Sequence, residues 1–179
     1  KRQLRQEIKR LKQTISPGQR ALLSSKICAA IEALPGFGQV SRILLYHALP
    51  DETDTTPMLT AWNGKKDLYL PIVKGDDLIV SPYSPRALKQ GEFGIWEPSH
   101  IQETDPASIE WIVVPGVAFD RKANRLGRGK GFYDRLLAQT HALKIGIGYD
   151  LQLLDEIPAE PHDIKMDIIV TENNIIYKK

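Results

Sequence analysis

Between Arg125 and Arg135 the chain reads RLGRGKGFYDR. Gly127, Gly129 and Gly131 alternate with Arg128 and Lys130, and Phe132, Tyr133 and Asp134 follow at once. Bare backbone at alternate positions lets N–H groups close on anionic oxygens. Arg125, Arg128 and Lys130 add charge-assisted contacts to the same oxygens. A helix opening near Phe132 would point its positive end at them. Asp134, in that first turn, is placed to hold a magnesium ion, which favours one or two carboxylates beside phosphate oxygens and water. The spacing is that of neither familiar nucleotide loop. A P-loop needs four residues between its first glycine and Gly-Lys-Ser/Thr, and the third glycine here comes one residue early for a dinucleotide turn. A flexible basic turn with an ordinary first-turn aspartate would use the same residues.

A second cluster is LPDETDT, Leu49 to Thr55, with three carboxylates. Glu52 could accept from the donor edge of a heterocycle. Equally, the stretch could be a solvated acidic turn, with Asp54 or Thr55 capping a helix that opens at Thr56-Pro57. Lys1, Arg5, Lys9 and Lys12 recur on or near one face of the first segment. Such a stripe is usually solvated, but Lys1 and Arg5, one turn apart, could reach a triphosphate. His162-Asp163 reads as a turn before a strand, with a metal or phosphate role open to Asp163. Phe93 and Trp96 are packing residues or the wall of a pocket for a bicyclic ring. Cys28 reads as a small buried apolar residue.

These groups need a frame. Leu4, Ile8, Leu11 and Ile15 repeat at helical spacing. Ser16, Pro17 and Gln19 make a helix start with a capping box, and Leu23, Ile27, Ala30, Ile31 and Leu34 mark the buried face of that helix. Compact apolar runs at Arg42–Leu49, Asp67–Val73, Trp111–Val117, Lys144–Tyr149 and Met166–Glu172 predict strands of a parallel sheet covered on both faces. Helical patterns fall between them, including Tyr133–Gln139, so the class is α/β. The turn-rich stretch Asp77–Ser108 has room for extra antiparallel strands. Ligands of open α/β sheets bind outside the carboxyl ends of the strands. That rule places the acidic loop, the glycine turn and the EPHD stretch on one rim.

The totals narrow the function classes. The 179 residues predict a single domain, and 24 basic against 22 acidic side chains leave a net charge of +2. Such balance argues against a general nucleic-acid binder, so any positive site must be local. One cysteine permits no internal disulfide, and the four histidines fall in no spaced zinc pattern. No apolar run approaches the length of a membrane span, and no secretion signal is visible. A cytoplasmic monomer is expected.

In order along the chain stand KRQLR at Lys1 to Arg5, PDETDT at Pro50 to Thr55, FGIWEP at Phe93 to Pro98, VPGVAFD at Val114 to Asp120, NRLGRGKGFYDRLL at Asn124 to Leu137, and PHDIKMDIIVTE at Pro161 to Glu172. This set resembles the 5-formyltetrahydrofolate cyclo-ligase family nearly end to end, the long glycine motif being its most specific part. The resemblance implies a three-layer α/β sandwich with a mainly parallel central sheet, of the kind found in ribose-5-phosphate isomerase and CoA transferases. It implies ATP- and magnesium-dependent closure of 5-formyltetrahydrofolate to 5,10-methenyltetrahydrofolate, with ATP as co-substrate, in one-carbon metabolism. Carried over by position, Lys1, Arg5 and the run Arg125, Leu126, Gly127, Arg128, Gly129, Lys130, Gly131, Phe132 and Tyr133 would contact ATP. Arg128 and Lys130 would act on the transferring phosphoryl group, and Asp134 and Asp163 would serve magnesium. His47, Glu52, Phe93 and Tyr133 would line the folate pocket. Two positions depart from the family pattern: an apolar residue is common at His47, and Phe132 replaces the first of a frequent tyrosine pair, removing one hydroxyl. Two other readings compete: a sugar-phosphate isomerase or CoA transferase-like enzyme, which would release no ADP, and a nucleotide-binding regulator without catalysis, which would be expected to lack Asp134 or Lys130.

Overall fold

Ser16 and Gln19 bond each other as their types require. The Ser16 hydroxyl accepts from the Gln19 amide at 3.2 Å, and the Gln19 side chain accepts from the Ser16 amide at 3.0 Å. Pro17 fills the first turn. In the computed structural model, which describes residues 1–179, α1 (Arg2–Lys12) and α2 (Pro17–Glu32) come first. Then follow β1 (Arg42–Leu44), α3 (Thr56–Trp62), β2 (Asp67–Lys74) and β3 (Asp77–Pro82). A hairpin of β4 (Leu88–Gln90) and β5 (Trp96–Pro98) precedes β6 (Trp111–Pro115), β7 (Ala118–Asp120), β8 (Arg125–Leu126) and α4 (Phe132–Leu137). The remaining strands are β9 (Leu143–Ile147), β10 (Leu153–Leu154), β11 (Ile168–Val170) and β12 (Ile175–Tyr177).

Seven strands form the central sheet, in the order β12-β11-β9-β6-β1-β2-β3. β1 pairs in parallel with β2 and β6, and β9 with β6 and β11. The edge strands β3 and β12 run antiparallel. Burial on both faces explains the unbroken apolar runs. Ile43, Leu45, Val113 and Ile145 pack with Ile27 and Ile31 of α2 and Met58 and Trp62 of α3. The alternate residues Leu44, Ile112, Val114 and Ile169 pack on the other side with Leu136 and Leu137 of α4. Three layers result, as expected. A small second sheet, β10-β7-β8, receives α1, whose buried Ile8 meets Ala118, Leu126 and Ile157. No helix is long and apolar enough to cross a membrane.

Several runs leave the sheet earlier than their sequence suggests. The run Arg42–Leu49 pairs only as far as Leu45, whose amide donates to Tyr69 O at 2.9 Å. Beyond it the Tyr46 carbonyl accepts from Thr55 Oγ1 at 2.5 Å, so the backbone turns away from the neighbouring strand. The run Trp111–Val117 ends at Pro115, and the chain crosses into the small sheet at Ala118. The expected antiparallel additions within Asp77–Ser108 are β3 and the β4–β5 hairpin.

After β1 the chain crosses through α3 to β2 on one side, while β6 takes the other side of β1. The sheet therefore has a switch point between β1 and β6, where the two loops leaving these strands diverge and a crevice opens.

Candidate active site

That crevice is a cavity of about 650 Å³. Its walls include Tyr46, His47 and Glu52 from the loop after β1, Pro115 at the end of β6, and Gly116 and the glycine turn from the chain beyond it. The volume lies in the range of sites that enclose small organic ligands. Every residue that the resemblance assigns to ATP, folate or magnesium lines it, whereas Trp96, read beside Phe93 as packing or pocket wall, does not.

A carboxylate behind the wall fixes the β7–β8 turn that leads into the glycine turn. Asp120 is fully buried, and its two oxygens accept from the amides of Lys122, Asn124 and Ile157 and from Asn124 Nδ2, at 2.9–3.1 Å. Four donors satisfy the charge and lock the β7–β8 turn. β8 then delivers Arg125 to the cavity. Arg125 Nη2 donates to Asp134 Oδ2 at 3.1 Å and Nη1 to Pro115 O at 3.2 Å. Gly129 (φ +101°) and Gly131 (φ +70°) occupy left-handed backbone that side chains disfavour, and they bend the turn round into α4.

The cations are paired with acids from separate loops. Arg128 donates from Nη2 to Asp51 Oδ1 at 2.5 Å and from Nε to Glu52 Oε1 at 3.1 Å. Burial alone would raise the Asp51 carboxyl. The bond and charge of Arg128, with Lys12 behind them, outweigh it and hold the group below its ordinary range. Lys1 Nζ meets Asp163 Oδ2 at 2.9 Å and Glu160 Oε2 at 3.3 Å. The bond to Asp163 raises the Lys1 ammonium. Arg5 Nε donates to Gly127 O at 2.8 Å, which ties α1 to the glycine turn. One ligand atom each from Glu160, His162 and Asp163 lies within 4.8 Å of the others. Asp134 sits apart on Arg125, its second oxygen accepting from the Ile164 amide at 3.4 Å.

Apolar and aromatic groups close the opposite side. Phe93 stands at the tip of the β4–β5 hairpin in left-handed backbone (φ +59°). Its ring lies 6.4 Å from that of Phe132, and Lys130 Nζ is 4.7 Å from its centroid. Phe93 and Trp96 are 55% and 42% exposed, so neither is a core packing residue. His47 lies 6.3 Å from Trp96, ring to ring, and its buried Nδ1 has no hydrogen-bond partner. Burial pushes its imidazole below the ordinary value. Tyr133 lies under Arg125, whose guanidinium is 5.7 Å from the ring centroid.

Tertiary structure adds residues that spacing did not single out. Lys12, grouped with a solvated stripe, is half-buried at the cavity and donates to Asp51 O, and burial lowers its ammonium. Tyr46 also lines the wall, as do Glu160 and His162 of the EPHD stretch expected on this rim. Thr55 holds the N-cap position of α3 without a side-chain cap bond, and Asp54 before it accepts from the Thr56 amide at 3.0 Å. Cys28 is buried, as its composition reading expected, and burial drives its thiol to about 12.

The sequence profile described as the 5-formyltetrahydrofolate cyclo-ligase family matches residues 1–172. A 5-formyltetrahydrofolate cyclo-ligase of Haemophilus influenzae is 31% identical over 181 aligned positions, covering 95% of this chain and 97% of the relative. The solution structure of Aquifex aeolicus 5,10-methenyltetrahydrofolate synthetase superposes with a TM-score of 0.90 at 36% identity, covering 99% of this chain and 92% of that one. A 5,10-methenyltetrahydrofolate synthetase from Mycoplasma pneumoniae superposes with a TM-score of 0.79 at 25% identity, covering 96% and 98%.

Proposed function

The chain belongs to the 5-formyltetrahydrofolate cyclo-ligase family, and from that premise we propose how its cavity divides the work of the reaction. The protein is a ligase that uses ATP to close 5-formyltetrahydrofolate to 5,10-methenyltetrahydrofolate, with release of ADP and phosphate. The observation that carries the assignment of residues is the meeting of two loops at the switch point. Arg128, from the phosphate-type turn, reaches the carboxylate of Glu52, from the acidic loop, at 3.1 Å. A nucleotide tail and a folate head held by those two loops would therefore be neighbours.

The N5-formyl group is an amide, and its carbon resists attack by N10. Transfer of the γ-phosphoryl group to the formyl oxygen forms a P–O bond, breaks the bond to ADP and leaves the carbon electrophilic. N10 then attacks, the C–O bond breaks, phosphate departs with the electron pair, and the N10 proton passes to solvent. No protein nucleophile is needed. The residues' task is alignment and charge neutralisation. Lys1, Arg5, Arg125, Arg128 and Lys130 surround the polyphosphate in this reading, and Arg128 and Lys130 face the transferring group. Glu52 accepts from the pterin's donor edge, while His47, Phe93 and Tyr133 wall the ring.

Asp134 and Asp163 suit a magnesium ion, because both offer hard oxygen donors at the cavity wall beside the turn. Bound there with the nucleotide, the ion would neutralise polyphosphate charge. Lys1 and Arg125 already balance these two carboxylates, so they would be the cations that readjust.

One assay tests the whole reading. Purified protein given 5-formyltetrahydrofolate should produce the methenyl chromophore only with ATP and a divalent cation, releasing one ADP per product. Glu52→Gln should raise the folate KM by roughly tenfold or more, the range for loss of a hydrogen bond to a charged group, while ATP binding changes little. Equal folate affinity in the two proteins would remove Glu52 from the pterin site.

A further inference from the structure

Two cations assigned above to the nucleotide rest on groups assigned to the folate. Arg128 bridges Asp51 and Glu52, and Lys130 lies over the ring of Phe93. Within Glu52 the two oxygens are divided. Oε2 accepts from the Leu49 amide at 2.9 Å and is fixed by its own loop, whereas Oε1 accepts from Arg128 Nε. Withdrawal of Arg128 would thus bare the one oxygen free to accept from a pterin.

The acidic loop would not move with it. Arg20 Nη2 donates to the carbonyls of Leu49 and Glu52, Lys12 Nζ donates to that of Asp51, and Tyr46 Oη donates to that of Thr53 at 2.8 Å. Lys12 and Arg20 hold the backbone from α1 and α2, and Tyr46 holds it from the buried start of the same loop. Arg128 instead is held at its guanidinium by side-chain oxygens alone, those of Asp51 and Glu52, and it stands between two glycines, whose backbone is the least restricted.

We propose that the Arg128–Glu52 pair makes nucleotide and folate bind cooperatively, and that Asp51 is a positioning residue that keeps Arg128 on the folate side until a polyphosphate takes it. The inference rests on the division of the cavity given above. Either ligand binding alone must part Arg128 from Glu52. The second ligand meets a pair already parted, so the cost of separation is met once and each ligand tightens the other by one and the same factor. The side chains of Arg128, Asp51 and Glu52 are 45%, 37% and 13% exposed, so water weakens the pair. The coupling should then lie near the low end for linked sites, roughly five- to tenfold.

Calorimetry on the full chain tests this with β,γ-imido-ATP, magnesium chloride and 5-formyltetrahydrofolate. Expected is a roughly five- to tenfold lower Kd for the nucleotide analogue when folate is saturating, and an equal change for folate when the analogue is saturating. Arg128→Gln should abolish the coupling, and 5-formyltetrahydrofolate alone should bind it at least as tightly as the unaltered protein. Asp51→Asn should bind the analogue about two- to fivefold more tightly without folate, the scale of a partly exposed ion pair, and this gain should shrink at high salt. A merely structural Asp51 would give an unchanged or weaker Kd instead. A coupling factor of one in the unaltered protein overturns the proposal and leaves the functional reading standing. Persistent coupling in Arg128→Gln, or no tightening in folded Asp51→Asn, also overturns it. Failure of either ligand to bind singly would bring down the functional reading and this inference together.

Discussion

Among the basic residues of the glycine turn, Lys130 has no carboxylate of its own. Arg125 is spent on Asp134 and Arg128 on Asp51 and Glu52, whereas Lys130 rests on the face of Phe93. A cation over an exposed ring is held by only about 0.5–1 kcal/mol, so Lys130 can turn onto a phosphoryl group at little cost. Its contribution would be greatest when charge develops in the transition state. Lys130→Ala should lower kcat about 10²–10³-fold, as when one preorganised electrostatic contact is deleted, with a smaller change in ATP affinity. Turnover of methenyl product at saturating ATP is the measurement, and an unchanged kcat would exclude Lys130 from the chemical step. Phe132 stands beside this pair, its ring tilted and 6.4 Å from that of Phe93.

At the scale of elements, the best-determined feature is the start of α2. Ser16 and Gln19 are exposed and make reciprocal bonds to each other's backbone, so replacing the hydroxyl removes a cap and almost no packing. Ser16→Ala should cost about 1 kcal/mol and lower Tm by about 2–4 °C, with activity per folded molecule unchanged. A thermal melt showing no shift would mean the cap is replaced by water. This start was legible because capping is local chemistry. The five parallel strands were legible for another reason: residues such as Ile43 and Leu44 face different cores, and both sides demand apolar groups. What pairs across long distances left no such trace. β10 has only two residues and joins the small sheet through Phe119 and Asp120, far away in the chain. Lys12 looks like any solvated lysine until α1 docks Ile8 on that sheet and turns Lys12 toward Asp51. Phe93 and Trp96 resemble core residues by type, yet they stand near a hairpin tip where no second layer covers them. The glycine turn stood out because its residue types would serve phosphate better than a surface loop, and it does line the cavity. The partners of Arg128 were not readable, since they lie about 75 residues upstream and are brought in only by the β1–β6 crossing.

Across the whole molecule, the carboxyl rim of the sheet is laced by acids, and those outside the cavity hold the far edge together. Asp150, just after β9, accepts from Thr171 Oγ1, from Asn173 Nδ2 at 2.6 Å and from Asn174 Nδ2 at 2.9 Å, and so ties the β11–β12 turn to β9. Burial alone would raise its carboxyl, but the bonds from Thr171, Asn173 and Asn174 prevail and hold it below its ordinary 3.8. A depressed carboxyl means that the unfolded chain takes up a proton at higher pH than the folded one. Its stabilising contribution is therefore complete above pH 3.8 and is lost as the pH falls through the lower folded value. Glu172, raised mainly by burial, acts in the opposite sense, gaining stability as its raised carboxyl takes a proton, so the unaltered protein's own acid profile mixes the two. The difference between that protein and Asp150→Asn isolates the tie. The variant should melt lower at neutral pH, by about 2–4 °C if the partly solvated bonds are worth about 1 kcal/mol, and the gap should close as the pH drops below 3.8. Because Asp150 does not line the cavity, methenyl formation by the folded variant should stay the same. A gap that persisted undiminished into acid would show that the edge is held by packing and not by the charge of Asp150.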